Sequence, residues 1–136
     1  MAKSTSLLAK AYMVDATVEL PLAGGTVTGP TVPAGMLVVN AGVELIDAVD
    51  SADYDVAVSD GTNTYMATTA VDSSSAGTFA VGSQTPAVTA AEETIDVVAT
   101  ATANNSADIT ARVFAIVVNV GDASRTADEV DRDQLA

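Results

Sequence analysis

Apolar and polar residues alternate along much of this chain with a period of two. In AYMVDATVEL (11–20), Tyr12, Val14, Ala16, Val18 and Leu20 fall on one face, and Met13, Asp15, Thr17 and Glu19 on the other. That pattern predicts a strand with one buried and one wet face, as in antiparallel sheets. Pro21 and Gly24-Gly25 end it. TVTGPTVPAG (26–35) reads as a Pro/Gly-punctuated connection. MLVVNAGVELIDAV (36–49) reads as a strand with a bulge or tight bend at Asn40-Ala41-Gly42.

The segment DYDVAVSDGTNTYMAT (53–68) predicts a hairpin. Tyr54, Val56 and Val58 alternate with Asp55, Ala57 and Ser59, and Asp60-Gly61 supplies a turn at which both residues tolerate positive φ. Residues 71–93 are looser, with a short strand over 78–81 and a serine run and Pro86 marking surface loops. TIDVVATAT (94–102) is a further strand, and 103–106 a turn. DITARVFAIVVNV (108–120) is the longest strand. It is apolar on both faces near Phe114–Val118, which predicts a central strand covered on both sides. The run VFAIVV is an aggregation hazard unless paired within a sheet.

About eight strands at this spacing predict two packed antiparallel sheets. The expected architecture is an all-β antiparallel sandwich of the jelly-roll type, with another Greek-key sandwich as the alternative. Helix is expected only at Ser4–Ala11 and Ala127–Leu135. The organisation predicted is an N-terminal arm (1–10), a sandwich domain (11–121) and an acidic C-terminal tail (122–136).

Composition changes this picture mainly by exclusion. The chain has 136 residues and suits one domain. Its apolar share is 49% but its aromatic share only 4%, so the core must be built largely from Ala and Val. Such a core buries little area per side chain, and association with further copies is a common remedy. There is no Cys, and so no disulfide framework or thiolate chemistry. There is no His to act as a base for the many Ser and Thr, and no Gly-x-Ser-x-Gly elbow or phosphate loop. A catalytic or cofactor-dependent role is therefore not expected.

Five basic against 18 acidic residues leave a net charge of −13. That balance argues against nucleic acid, whose phosphates require Lys and Arg, and against anionic membranes. No stretch is long and apolar enough for a transmembrane helix, and the start MAKSTSLLAKAYM does not read as a signal peptide. Synthesis in the cytoplasm as a soluble protein is the simplest expectation. Asn104-Asn105-Ser106 matches a glycosylation sequon, which without a secretion signal is read as chance.

Three groups of charged residues remain as candidate sites. Asp47, Asp50, Asp53 and Asp55 form the densest acidic cluster, and calcium, which takes 6–8 oxygen ligands, is the ion such a loop would hold. The spacing does not fit an EF-hand, and a solvated turn is the competing account. Glu92, Glu93 and Asp96, and Asp128, Glu129, Asp131 and Asp133, read as solvated surface. Lys3 and Lys10 give the first ten residues a charge of +2 against −15 for the remainder. They mark an arm that could dock on an acidic scaffold surface, or a terminus without a partner. Arg112 lies within the central strand and requires a carboxylate, either a nearby aspartate or one across a subunit interface.

The order of elements over about residues 30–121 resembles the capsid decoration, or cement, proteins of tailed bacteriophages of cyanobacterial and marine type. The similar layout is Pro-Ala-Gly with a strand, a Gly-Val-Glu strand, and an acidic Val-Ser-Asp-Gly-Thr hairpin. A Ser-rich loop closing on Ala-Gly-Thr-Phe follows, then Thr-Ala-Ala-x-x-Thr-Ile-Asp and a terminal Ala-Arg-Val-x-Ala strand. The resemblance implies a β-sandwich, a homotrimer at capsid three-fold positions, the major capsid protein as partner, and a place on the capsid exterior after synthesis in the host cytoplasm. It transfers no site residues. A tail, fibre or baseplate component is the alternative within a virion, and a small carbohydrate- or calcium-binding sandwich the alternative outside one.

Overall fold

The computed structural model describes residues 11–82 and 86–119. Among these, every regular element is a strand: β1 (Ala11–Leu20), β2 (Gly24–Val27), β3 (Thr31–Val32), β4 (Met36–Leu45), β5 (Tyr54–Ser59), β6 (Thr64–Ala70), β7 (Phe79–Val81), β8 (Ala87–Val88), β9 (Glu93–Thr94), β10 (Asp96–Ala101) and β11 (Ile109–Asn119). The helices expected at Ser4–Ala11 and Ala127–Leu135 fall outside the described residues, except Ala11, which opens β1. The N-terminal arm and the acidic tail also lie outside them.

One sheet has the order β1-β11-β4-β7, with β8 also pairing β4. The other has the order β2-β10-β5-β6, and β3 and β9 form a small third ladder. All pairings are antiparallel. With β7 and β8 sharing one place, and β3 and β9 set aside, first pairs with last, second with seventh, third with sixth and fourth with fifth. That nested pairing is a long hairpin rolled up on itself, the jelly roll expected from the sequence.

The inward positions follow the period of two. Val18 and Leu20 of β1, Ile109, Ala111, Val113, Ala115 and Val117 of β11, and Val38, Ala41, Val43 and Leu45 of β4 form one wall of the core. Tyr54, Val56 and Val58 of β5 face them, with Met66 of β6 and Val97 and Ala99 of β10. Tyr54 is the largest fully buried side chain. Its hydroxyl donates to Pro21 O at 2.6 Å, which satisfies the one polar atom it carries into the core. Burial, with the Asp108 charge adding to it, pushes the Tyr54 hydroxyl up to about 12.

Several local expectations require correction. The stretch 36–49 stops being strand at Leu45, because the N–H groups of Ile46 and Asp47 both turn to Thr110 O. Its bulge lies one residue earlier than expected: Asn40 pairs Ile116 and Val38 pairs Val117, which leaves Val39 as the extra residue. The connection 26–35 contains the end of β2 and all of β3. The turn at Asp60-Gly61 has positive φ at Gly61 alone. Asp60 acts instead through its carboxylate, which accepts from the N–H groups of Thr62 (2.9 Å) and Asn63 (2.6 Å).

Candidate functional site

The outer face of the β1-β11-β4-β7 sheet is the most distinctive surface of the molecule. Strand register arranges its side chains in rows across the sheet. The first row is Ala11, Val118, Leu37 and Val88, and the second Met13, Ile116 and Asn40. Asp15, Phe114, Gly42 and Val81 form the third, and Thr17, Arg112, Glu44 and Phe79 the fourth. Three of these rows carry mostly apolar groups, and polarity rises toward the fourth.

Large apolar side chains stand in solvent here. Phe79 is 55% exposed, Val81 and Val88 51%, Met13 49% and Ile116 38%. Exposed apolar side chains grouped on one sheet face are a feature that interaction sites share. This corrects the expectation that β11 is covered on both sides: its Ile109–Val117 face is buried in the core, but its Ile116 face is open in the described residues. Phe114 alone on that face is well buried. Its ring lies against Gly42, where an added Cβ would come within 2.8 Å of Cζ, and it meets Phe79 edge to face at 6.1 Å and 65°.

Arg112 borders the apolar rows. Its Nη2 donates to Glu44 Oε1 at 2.7 Å and its Nη1 lies 3.6 Å from Asp15 Oδ2. Both partners are in its own chain, on the strands that flank β11. The aspartate expected from the sequence is Asp15, but Glu44 makes the shorter contact. Its Nε has no hydrogen-bond partner among the described residues. Arg112 is the one cation among the described residues, against thirteen carboxylates, so the described body carries −12. The apolar rows are thus a nearly charge-free area on a strongly anionic particle.

The acidic cluster read from the sequence is divided by the fold. Asp47 accepts from Thr110 N at 2.9 Å and Asp50 from Ser106 N at 2.9 Å. Those bonds lower both carboxyls from the ordinary range: the Thr110 backbone N–H leads for Asp47, and Ser106 for Asp50. Asp53 and Asp55 instead converge with Asp72, which sequence spacing could not bring to them, with carboxylate oxygens of all three within 4.8 Å of one another. Asp53 also accepts from the Thr102 hydroxyl, and Asp72 from Tyr54 N at 2.8 Å. Three carboxylates fall well short of the ligand set calcium takes. Lys3 and Lys10, the docking candidates, lie outside the described residues.

The residue that sequence reading missed most completely is Asn105, taken there as part of a turn. It is 6% exposed. Its Oδ1 accepts from Asp50 N (2.8 Å) and Ser51 N (2.9 Å), its Nδ2 donates to Ala107 O (2.9 Å), and its own N–H donates to Leu22 O (3.0 Å). Three connections at one end of the sandwich are held through it.

No protein-family profile matches the chain, and no curated protein matches it in sequence. In three dimensions it is similar to a chain of the capsid asymmetric unit of cyanophage Pam1, with a TM-score of 0.65 and 16% identity over 81% of this chain and 85% of that one. It is also similar to a chain of the acid-stable capsid of Helicobacter pylori bacteriophage KHP30, with a TM-score of 0.55 and 16% identity over 80% of this chain and 93% of that one. In both cases nearly the whole of the other chain is matched, so the shared object is a complete small sandwich, and the fold is one that occurs in phage capsids.

Proposed function

We propose that this chain is a virion structural protein that binds the outer surface of a phage capsid as a homotrimer and stabilises the mature shell. It acts by adhesion and performs no catalysis. The observation that carries this reading is the jelly roll shared, nearly end to end, with small chains of two phage capsids. The surface chemistry supports it. An anionic body keeps free copies apart in solution, while an apolar sheet face and long strand edges offer contact area that is not selective for charge. The order of elements over residues 30–121 and its resemblance to decoration proteins point the same way.

The physical effect would be to bridge neighbouring capsomers and so oppose outward strain on a filled shell. Mass measurement of the purified protein should give trimers. Added to shells of its own phage, it should bind stoichiometrically to expanded shells and not to immature ones. A monomer without affinity for either shell would refute the reading. Copy number in purified virions separates it from the tail, fibre or baseplate alternative, which requires few copies per particle.

A further inference from the structure

A sheet edge presents a row of unpaired backbone groups, and the other edges of this sandwich are built so that a further strand adds poorly to them. β6 is interrupted by two register shifts against β5. β2 has four residues and opens on Gly24 and Gly25, both at positive φ. β7 and β8 are three and two residues long. β1 has none of these features. It runs for ten residues in unbroken register with β11 and contains no proline. Among the described residues no strand pairs its other side.

The ladder fixes which groups of β1 point to that open side. The Thr110 N–H donates to Asp47 Oδ2, and Thr110 O accepts from the N–H groups of Ile46 and Asp47. The backbone of Thr110 is thus turned toward the end of β4 and away from β1. Thr110 pairs Glu19 in register, so that pair exchanges no ladder bonds. Alternation along an antiparallel pair then directs the N–H and C=O groups of Glu19, Thr17, Asp15 and Met13 to the open edge. Side chains are open in the first half of the strand as well. Tyr12 is 45% and Met13 49% exposed and Val14 and Ala16 are half-buried, whereas Val18 and Leu20 are closed in. An added strand would meet apolar neighbours on both faces, and the Asp15 and Glu19 carboxylates on the outer one.

Charge selects the occupant. Two β1 strands set antiparallel over most of their length, like faces together, bring Asp15 opposite or diagonal to a carboxylate of the other copy, which is unfavourable. A strand with a lysine or arginine opposite Asp15 or Glu19 suits the edge better. Among the described strands only the central β11 carries a cation, Arg112, and Glu44 and Asp15 already engage it. We propose that the open edge of β1 takes an extended segment of the shell protein as an added strand, with a basic residue beside Asp15 or Glu19. Backbone pairing supplies the attachment and the carboxylates set the register. The identity of the donor rests on the proposed capsid role.

Hydrogen exchange of the full-length protein, free and bound to expanded shells of its own phage, tests this without altering the chain. The amides of Met13, Asp15, Thr17 and Glu19 should exchange quickly in the free protein and slow by about tenfold or more on the shell. Binding that leaves them fast overturns the proposal while the capsid role stands. Amides already slow in the free protein would mean that the edge is filled before a shell is met, and overturn it too. Thr17→Pro removes an outward N–H that β11 does not use, so it should keep the fold and the mass in solution. Its affinity for shells should fall by about tenfold. Undiminished binding by the folded variant overturns the proposal, and so does a changed mass, which would give the edge to a second copy. If the variant does not fold, the exchange measurement decides. Asp15→Asn/Glu19→Gln should bind shells several-fold more weakly and with less sensitivity to salt; equal binding overturns the basic partner. A parent protein that binds no shell refutes the capsid role itself, and the shell protein as donor falls with it.

Discussion

At the scale of single residues, Asp60 shows how a buried carboxylate is kept charged in this fold. It is 8% exposed. Burial alone would raise its pKa, but the N–H groups of Asn63 and Thr62 and the Tyr65 hydroxyl, which donates to Oδ2 at 2.6 Å, outweigh burial and lower it. Tyr65 shows the reverse, its hydroxyl raised by burial and by the Asp60 carboxylate. Because the folded pKa of Asp60 lies below its unfolded value, its contribution to stability is complete above the ordinary carboxylate range. It is lost as pH falls through the folded pKa. Tyr65→Phe removes one donor and should cost about 1–3 kcal/mol at neutral pH, measured by urea denaturation. The gap between the variant and the parent should narrow below about pH 4, as Asp60 protonates in both. A gap that is constant with pH would mean that ring packing, not the bond to the carboxylate, accounts for the loss.

At the scale of elements, β4 shows what could be read from the chain and what could not. Alternation located β1 to the residue, the β5–β6 hairpin, and β11 as the central strand, because burial on one face imposes period two regardless of partner. It could not place β2 or β3, whose Gly-Gly and Thr-Val carry too little pattern. Nor could it tell whether the second apolar face of β11 is covered by the same chain or left for another surface, since both produce the same residues. Among the candidate sites, Arg112 was legible because a cation within an apolar strand demands partners. The Asp53–Asp55–Asp72 grouping was not, because Asp72 arrives through the return of the hairpin. Gly42 ties β4, β7 and β11 together. A Cβ there would press on Ala80 O and lie 2.8 Å from the Phe114 ring, so the aromatic pair can approach only across a bare backbone. Gly42→Ala should cost about 1–3 kcal/mol, the usual penalty of overpacking. It should also loosen Phe79 and β7 before the remainder of the sandwich, an order visible as faster amide exchange at residues 79–81. Uniform loss of protection across both sheets would show that β7 has no independent freedom.

At the scale of the whole molecule, charge and topology act against each other. Among the described residues the first strand pairs with the last, so the sandwich closes only when both ends of the domain meet. On that particle the described residues carry thirteen carboxylates and one guanidinium. Like charges so concentrated destabilise the compact state through self-repulsion, and the unfolded chain relieves it by expanding. Salt weakens this repulsion: the Debye length falls from about 30 Å at 0.01 M to about 3 Å at 1 M. The Arg112–Glu44–Asp15 pairs are attractive and would weaken with salt, but they are one partly exposed cluster, worth at most about 1 kcal/mol per pair. Repulsion is spread over the whole surface and should dominate. The melting temperature should therefore rise steadily between 0.01 and 1 M sodium chloride. Arg112→Gln should lower the curve at its low-salt end more than at its high-salt end, because the two carboxylates it separates then face each other unscreened. A melting temperature that falls with salt would mean that the few attractive pairs, not the net charge of −13, set the electrostatic balance of the fold.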